Sequence, residues 1–227
     1  MAKNIHVVIV HGIGKTSAGY SEPLARGITA QFNAYLQETL KSKDDFSSHL
    51  AVQEVIWDGV LAPNQDKLVA ILKKGFENFE PKGFRAVLSK VFSFLTKPLL
   101  KLRADFAAQA ISDILGYRNP EAYSRIHKCM TDGVERFVNV AMDPADKQHL
   151  SIICHSLGTV IASDFIYDRQ KKFGHVHENF NFTNFFTLGS PIALFALQYG
   201  IELFRSPVVM ENRAGQWINI LFNSKKC

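Results

Sequence analysis

The segment from His149 to Phe165 constrains this chain more than any other. It reads His-Leu-Ser-Ile-Ile-Cys-His-Ser-Leu-Gly-Thr-Val-Ile-Ala-Ser-Asp-Phe. An apolar run (Leu150, Ile152, Ile153) leads into Cys154-His155-Ser156-Leu157-Gly158, and a helix-periodic apolar set (Val160, Ile161, Phe165, Ile166) follows. That order predicts a strand, a sharp turn and a helix, with Ser156 at the tip of the turn. The strand and helix backbones approach closely there, so the positions two before and two after the serine must be small. Gly158 meets this, and Cys154, standing where glycine is usual, is small enough to be tolerated. The start of the following helix aims backbone N–H groups at whatever the serine would attack.

Two further segments end in the same way. Residues 5–10, Ile-His-Val-Val-Ile-Val, form a short β-branched run of the kind buried on both faces of a parallel sheet. The run stops at His11-Gly12-Ile13-Gly14, a glycine loop whose amides can turn toward the space above Ser156 and hold a developing negative oxygen. Phe185-Phe186-Thr187-Leu188-Gly189-Ser190-Pro191 is another strand ending in a tight turn. The stretch Gly12-Ile13-Gly14-Lys15-Thr16 also looks like the end of a phosphate-binding loop. That motif requires a glycine where Ile9 stands, inside the strand, so nucleotide binding is not expected.

Taken in order, the His-Gly loop, the His-Ser-Leu-Gly turn and the Thr-Leu-Gly-Ser-Pro turn resemble the α/β-hydrolase superfamily, specifically its serine esterases and lipases. The resemblance runs from residue 5 to about residue 222, apart from an insertion. It implies that Ser156 is a nucleophile carried on an elbow and attacking an ester carbonyl. It also implies that the backbone N–H of Leu157, with one from Gly12 or Ile13, forms the oxyanion hole. No cofactor and no metal are implied.

The remaining pattern fits one α/β domain over residues 1–227, with residues 59–118 as a helical insertion or lid. Strands are expected at 5–10, 51–57, 149–154, 183–188 and 216–222, and helices at 22–41, 120–141 and 158–171. Parallel neighbours need crossovers, which these helices supply, so the expectation is at least five parallel strands with helices on both faces. Asn119-Pro120-Glu121 reads as an N-cap followed by proline at the first helical position. Within the insertion, Phe84, Val87, Leu88, Val91, Phe92 and Leu95 make one apolar stripe on a helix over about 83–96. A second helix after Pro98 carries Leu99, Leu102 and Phe106 on one face.

Charge is concentrated in that insertion. Residues 67–103 hold nine Lys or Arg against Glu77 and Glu80, a net +7 where the whole chain carries +5. The stripe can bury against the body with the lysines in water, or the segment can cover the site or dock on an anionic membrane surface. The expected partner is a small-molecule or lipid ester; nucleic acid is not expected. Three cysteines, an odd number, argue against a disulfide framework. With no signal peptide and no apolar run near the length of a membrane span, they point to the cytoplasm.

A serine hydroxyl needs a base, usually histidine, oriented by an acid. In the resembling families the order is serine, acid, histidine. After Ser156 the only histidines are His175 and His177, which follow the elbow helix and so belong at the far end of the sheet. Two ligands without a third make a poor metal site. His155 is expected to point away from the serine, and His11 to shape the glycine loop. Asp58 is expected to cap the segment after the second strand. No Asp or Glu lies beyond Glu211. Three explanations stay open: a truncated product, a changed reading-frame tail, or a degenerate member that binds lipid or a protein partner through the basic insertion without catalysis.

Overall fold

The computed structural model of the protein describes residues 3–62, 104–138, 148–196 and 208–221. The chain packs as two compact units, residues 1–12, 16–56 and 126–227 in one, residues 13–15 and 57–125 in the other.

The first unit is built on five parallel strands: β1 Ile5–Val10, β2 Leu50–Val55, β3 Gln148–His155, β4 Phe180–Leu188 and β5 Gln216–Ile220. Their spatial order is β2-β1-β3-β4-β5. This is the parallel α/β sheet the sequence predicts. The chain leaves β1 toward one side to make β2 and returns to its other side to make β3. The connections therefore diverge between β1 and β3, which opens a crevice at the carboxyl ends of those two strands. Register levels the ends: Val10 pairs with Cys154, Cys154 with Thr187, and Leu188 with Ile220.

The core follows from the β-branched and aromatic content of the strands. Val7, Val8, Ile9 and Val10 of β1, Leu150 and Ile152 of β3, and Phe180, Phe182 and Phe185 of β4 are all buried. Burying each contributes about 1.5–3 kcal/mol relative to exposure. Helix α1, Glu22–Glu38, lies over β1 and β2 through Ile28 and Leu36, with Phe32 stacked on Phe46 at 4.4 Å.

Among the described residues, two helices lie between β2 and β3. The first, α2, spans Ala104–Tyr117, and the second, α3, spans Pro120–Glu135. Asn119 caps α3, its Oδ1 accepting the N–H groups of Glu121 and Ala122 at 3.0 and 3.2 Å. The elbow helix, α4, runs over Leu157–Phe173. Its first half is buried (Leu157, Val160, Ile161, Ala162, Phe165, Ile166), and the helix lies against β1 and β3. Gly174 ends it in the left-handed region at φ 77°, its N–H on the Gln170 carbonyl. A short helix, α5, covers Ile192–Ala196.

The expected boundaries shift by a few residues. The second strand stops at Val55 rather than residue 57, because Trp57 turns inward, fully buried, and starts a 3-10 turn over Asp58–Val60. Trp57, rather than Asp58, holds the N-cap position of that turn, and Asp58 is its first residue. The helix after Pro120 stops at Glu135, before the expected residue 141. The helix expected at 83–96 lies outside the described residues, as do Leu99 and Leu102 of the second stripe. The placement of the basic insertion as a lid therefore also lies outside them.

Candidate active site

Ser156 sits between the end of β3 and the first residue of α4. Its backbone is at φ 50°, ψ −127°. Only Lys41 and Ser156 among the described non-glycine residues have positive φ. Such a conformation costs on the order of 1–3 kcal/mol and persists only where the surroundings over-determine it. Here they do. The Ser156 N–H donates to the Leu188 carbonyl at 2.9 Å, and the Ser156 carbonyl accepts both the N–H and the hydroxyl of Thr159.

Glycine is required on both sides of this turn because backbones collide there. A Cβ at Gly158 would lie 2.3 Å from the His11 carbonyl oxygen and 2.9 Å from that of Val10. A Cβ at Gly12 would lie 2.8 Å from the Ser156 Cβ and 3.0 Å from the His155 carbonyl oxygen. These contacts bring the end of β1 against the serine turn, at the point where the strand order diverges. Cys154 takes the third small position: it is buried, its Sγ lies 3.3 Å from the Phe186 carbonyl, and burial raises its thiol pKa well above the ordinary value. It behaves as an inert packing residue.

Leu157 is buried, and its N–H, the first of α4, has no acceptor within the helix. Gly12 abuts Ser156. Ile13 belongs to the second unit, together with Gly14. His11 is buried, with Nδ1 2.8 Å from the Gly12 carbonyl. A carbonyl only accepts, so Nδ1 carries the proton and the imidazole braces the loop. Tyr20 packs edge-on to that ring at 5.4 Å and donates its hydroxyl to the Ile9 carbonyl. Burial first, and then the nearby Glu54 charge, push the Tyr20 phenol well above its usual range.

The other histidines fall where the chain order places them. His175 and His177 lie between the end of α4 and the start of β4, at the amino ends of the strands. Seventeen residues of helix, roughly 25 Å, separate them from Ser156. His155 is exposed, its ring beside Gly12 and Gly189, and no hydrogen bond joins it to the Ser156 hydroxyl. Among the described residues the Ser156 hydroxyl has no hydrogen-bonded base, and no group of three or more metal-ligating side chains occurs. A groove of about 440 Å³ along β2, lined by Gly19, Ser21, Glu54, Cys129 and Arg136 among others, contains none of the serine-turn residues.

Sequence reasoning missed two features. The Thr159 hydroxyl lies 2.8 Å from that of Ser190, 31 positions away. In the second unit, Asp113 is fully buried and accepts the Gly14 N–H at 3.1 Å, with burial chiefly raising its pKa to about 6. No short motif signals either, since both depend on residues far apart in the chain.

Residues 115–197 match the family described as Putative serine esterase (DUF676). The resemblance to α/β-hydrolase serine esterases holds. The matched stretch carries β3, Ser156, α4, β4 and the Gly189-Ser190 turn, the whole of the strand-turn-helix unit just described. A segment of 99 residues is also 31% identical to the probable mitochondrial phospholipase C20G8.02 of Schizosaccharomyces pombe. That likeness covers 42% of this chain and 13% of the yeast protein, so the chain spans a small part of the relative it matches. Both matches are to proteins described as esterase- or lipase-like, the family by its description over residues 115–197 and the yeast protein by its name. No helix among the described residues is long and apolar enough to cross a membrane.

Proposed function

We propose that the protein is a serine hydrolase of carboxylic esters, with Ser156 as its nucleophile. The observation that carries this reading is the Ser156 turn itself. A non-glycine residue at φ 50° stands at the carboxyl end of a central parallel strand, wedged between Gly12 and Gly158 where the sheet order diverges. Strain of this kind is retained where it serves an arrangement of reacting groups.

In this reading the Ser156 Oγ attacks the ester carbonyl carbon. The carbonyl π pair moves to oxygen, and the hydroxyl proton passes to a base. The oxyanion is held by the N–H of Leu157, at the positive end of α4, and by one from Gly12 or Ile13. Collapse of the tetrahedral intermediate expels the alcohol and leaves an acyl group on Ser156, which water then removes. Esters of lipids are the favoured class, since the yeast relative is named as a phospholipase. Residues 1–227 act as one hydrolase domain in which 59–118 is the insertion, and the basic stretch 67–103 favours an anionic lipid surface. The cysteine usage supports a cytoplasmic setting, whereas the yeast relative is named as mitochondrial.

A fluorophosphonate probe tests this directly, because it bonds only to an activated serine. Labelling of the wild type and its loss in Ser156→Ala supports the reading. No labelling, with vesicle binding that is strong on anionic lipid and falls with salt, supports instead a non-catalytic hydrolase fold that binds lipid through the basic insertion.

A further inference from the structure

The turn after β4 grips Ser156 from a second strand. The Ser156 N–H donates to the Leu188 carbonyl at 2.9 Å. The Ser156 carbonyl accepts the Thr159 hydroxyl at 2.7 Å, and the Thr159 Oγ1 lies 2.8 Å from the Ser190 Oγ. A hydroxyl has one proton to give. That of Thr159 is committed to the Ser156 carbonyl, so the Ser190 hydroxyl is the donor to Thr159. Ser190 in turn accepts the Ile192 N–H at 3.3 Å. The result is a one-way chain of hydrogen bonds, Ile192 to Ser190 to Thr159 to Ser156, each link polarising the next. Thr159 is fully buried, so its hydroxyl has no water to turn to. The turn itself is anchored to β5, since the Gly189 N–H donates to the Ile220 carbonyl at 3.0 Å.

We propose that Thr159 and Ser190 are positioning residues that lock the strained Ser156 turn, so that the end of β4 sets the aim of the nucleophile on β3. The inference rests on the reading of Ser156 as the nucleophile. A threonine bonding back to the first carbonyl of its own helix is ordinary on its own. Here the same hydroxyl is also tied to a different strand, and the residue it holds is at φ 50°. Without that hydroxyl the Ser156 carbonyl keeps only the Thr159 N–H, at 3.0 Å, and ψ of Ser156 is less tightly held. A shift of the hydroxyl by a fraction of an ångström slows attack without touching the substrate.

The test is the second-order rate of fluorophosphonate labelling at Ser156, measured together with the melting temperature. Thr159→Val keeps the shape and removes the donor; labelling should slow about tenfold. Thr159→Ser keeps the donor and should stay within about twofold of wild type. Ser190→Ala should fall between. Thr159→Val leaves the Ser190 hydroxyl without its acceptor, so the double variant T159V/S190A should recover melting temperature but not labelling rate, separating aim from stability. Thr159→Val labelled at the wild-type rate would overturn the proposal, as would a double variant that recovers both. If wild type itself is not labelled, the hydrolase reading fails. The lock is then judged by the carbonyl ¹³C shift of Ser156, which must move in Thr159→Val and return in Thr159→Ser; no movement overturns it.

Discussion

The two ends of the sheet bury polar groups in opposite ways. At the amino ends, His6 is fully enclosed, with the rings of Phe137 and Phe180 edge-on at 4.8 and 5.1 Å. Neither of its ring nitrogens makes a well-aligned hydrogen bond among the described residues; burial chiefly lowers its pKa, and the His149 backbone beside it acts the other way. His177 is buried nearby, 5.2 Å from Phe180, its pKa also lowered by burial first. At the carboxyl ends, the polar groups around Ser156 are satisfied link by link while the backbone of the serine is strained. The amino end holds titratable side chains on relaxed backbone; the carboxyl end holds strained backbone inside a hydrogen-bond network. A buried histidine alone does not make a site. Strain that a network holds in place is the better guide.

The largest effect expected from this contrast comes from Gly158→Ala. The new Cβ would meet backbone oxygens that cannot rotate aside. Urea unfolding should show a loss of about 3 kcal/mol or more, if the variant folds at all. His6→Leu, which exchanges an imidazole without a well-aligned hydrogen bond for a hydrocarbon of similar size, should instead stay within about 1 kcal/mol at neutral pH. Similar losses in both would erase the difference between the two ends.

Acid sharpens the comparison from the other side. His127, on α3, packs edge-on to Phe165 of α4 at 5.9 Å, and burial lowers its pKa to about 4 against an attractive Asp168 charge. Its folded pKa is below the unfolded value, so the unfolded chain binds more protons as pH falls. The associated stability is complete above about pH 6.5 and is lost as pH falls toward 4. His6 and His177 act in the same direction. His127→Leu should flatten the loss between pH 6.5 and 4 by about 3 kcal/mol in urea titrations. An unchanged pH dependence would mean that this histidine is not held neutral by burial.

The smallest effect concerns the strained residue. Ser156→Gly removes the side chain that disfavours φ 50°, and should exceed Ser156→Ala in stability by about 1 kcal/mol while both lose probe labelling. Equal stabilities would show that the turn carries no strain.

Much of this was readable before any coordinates. The strand-turn-helix around Ser156 follows from the spacing of Cys154, Ser156 and Gly158 and the apolar runs on either side, a pattern carried by consecutive residues, although the carbonyls that Gly158 makes room for belong to His11 and Val10. The β-branched run of β1 and the Asn119 cap were legible for the same reason, whereas the close approach of Gly12 to Ser156 was not. The sequence also separated His175 and His177 from the serine, since a helix of known rise lies between them. It did not reveal that β2 ends at Val55 and that the buried Trp57 begins a 3-10 turn, because an apolar residue at a strand end reads the same whether the strand continues or stops.

What the sequence by itself determined, then, is the strand-turn-helix that holds Ser156 and the small residues two positions to either side of it, a pattern carried by a few consecutive residues. The tertiary structure decided which strands flank that turn and in what register. Only once β4 lies level with β3 does Leu188 reach the Ser156 N–H and Ser190 reach Thr159. Those partners are some thirty residues apart, and at that distance packing of the sheet, not local preference, selects who meets whom.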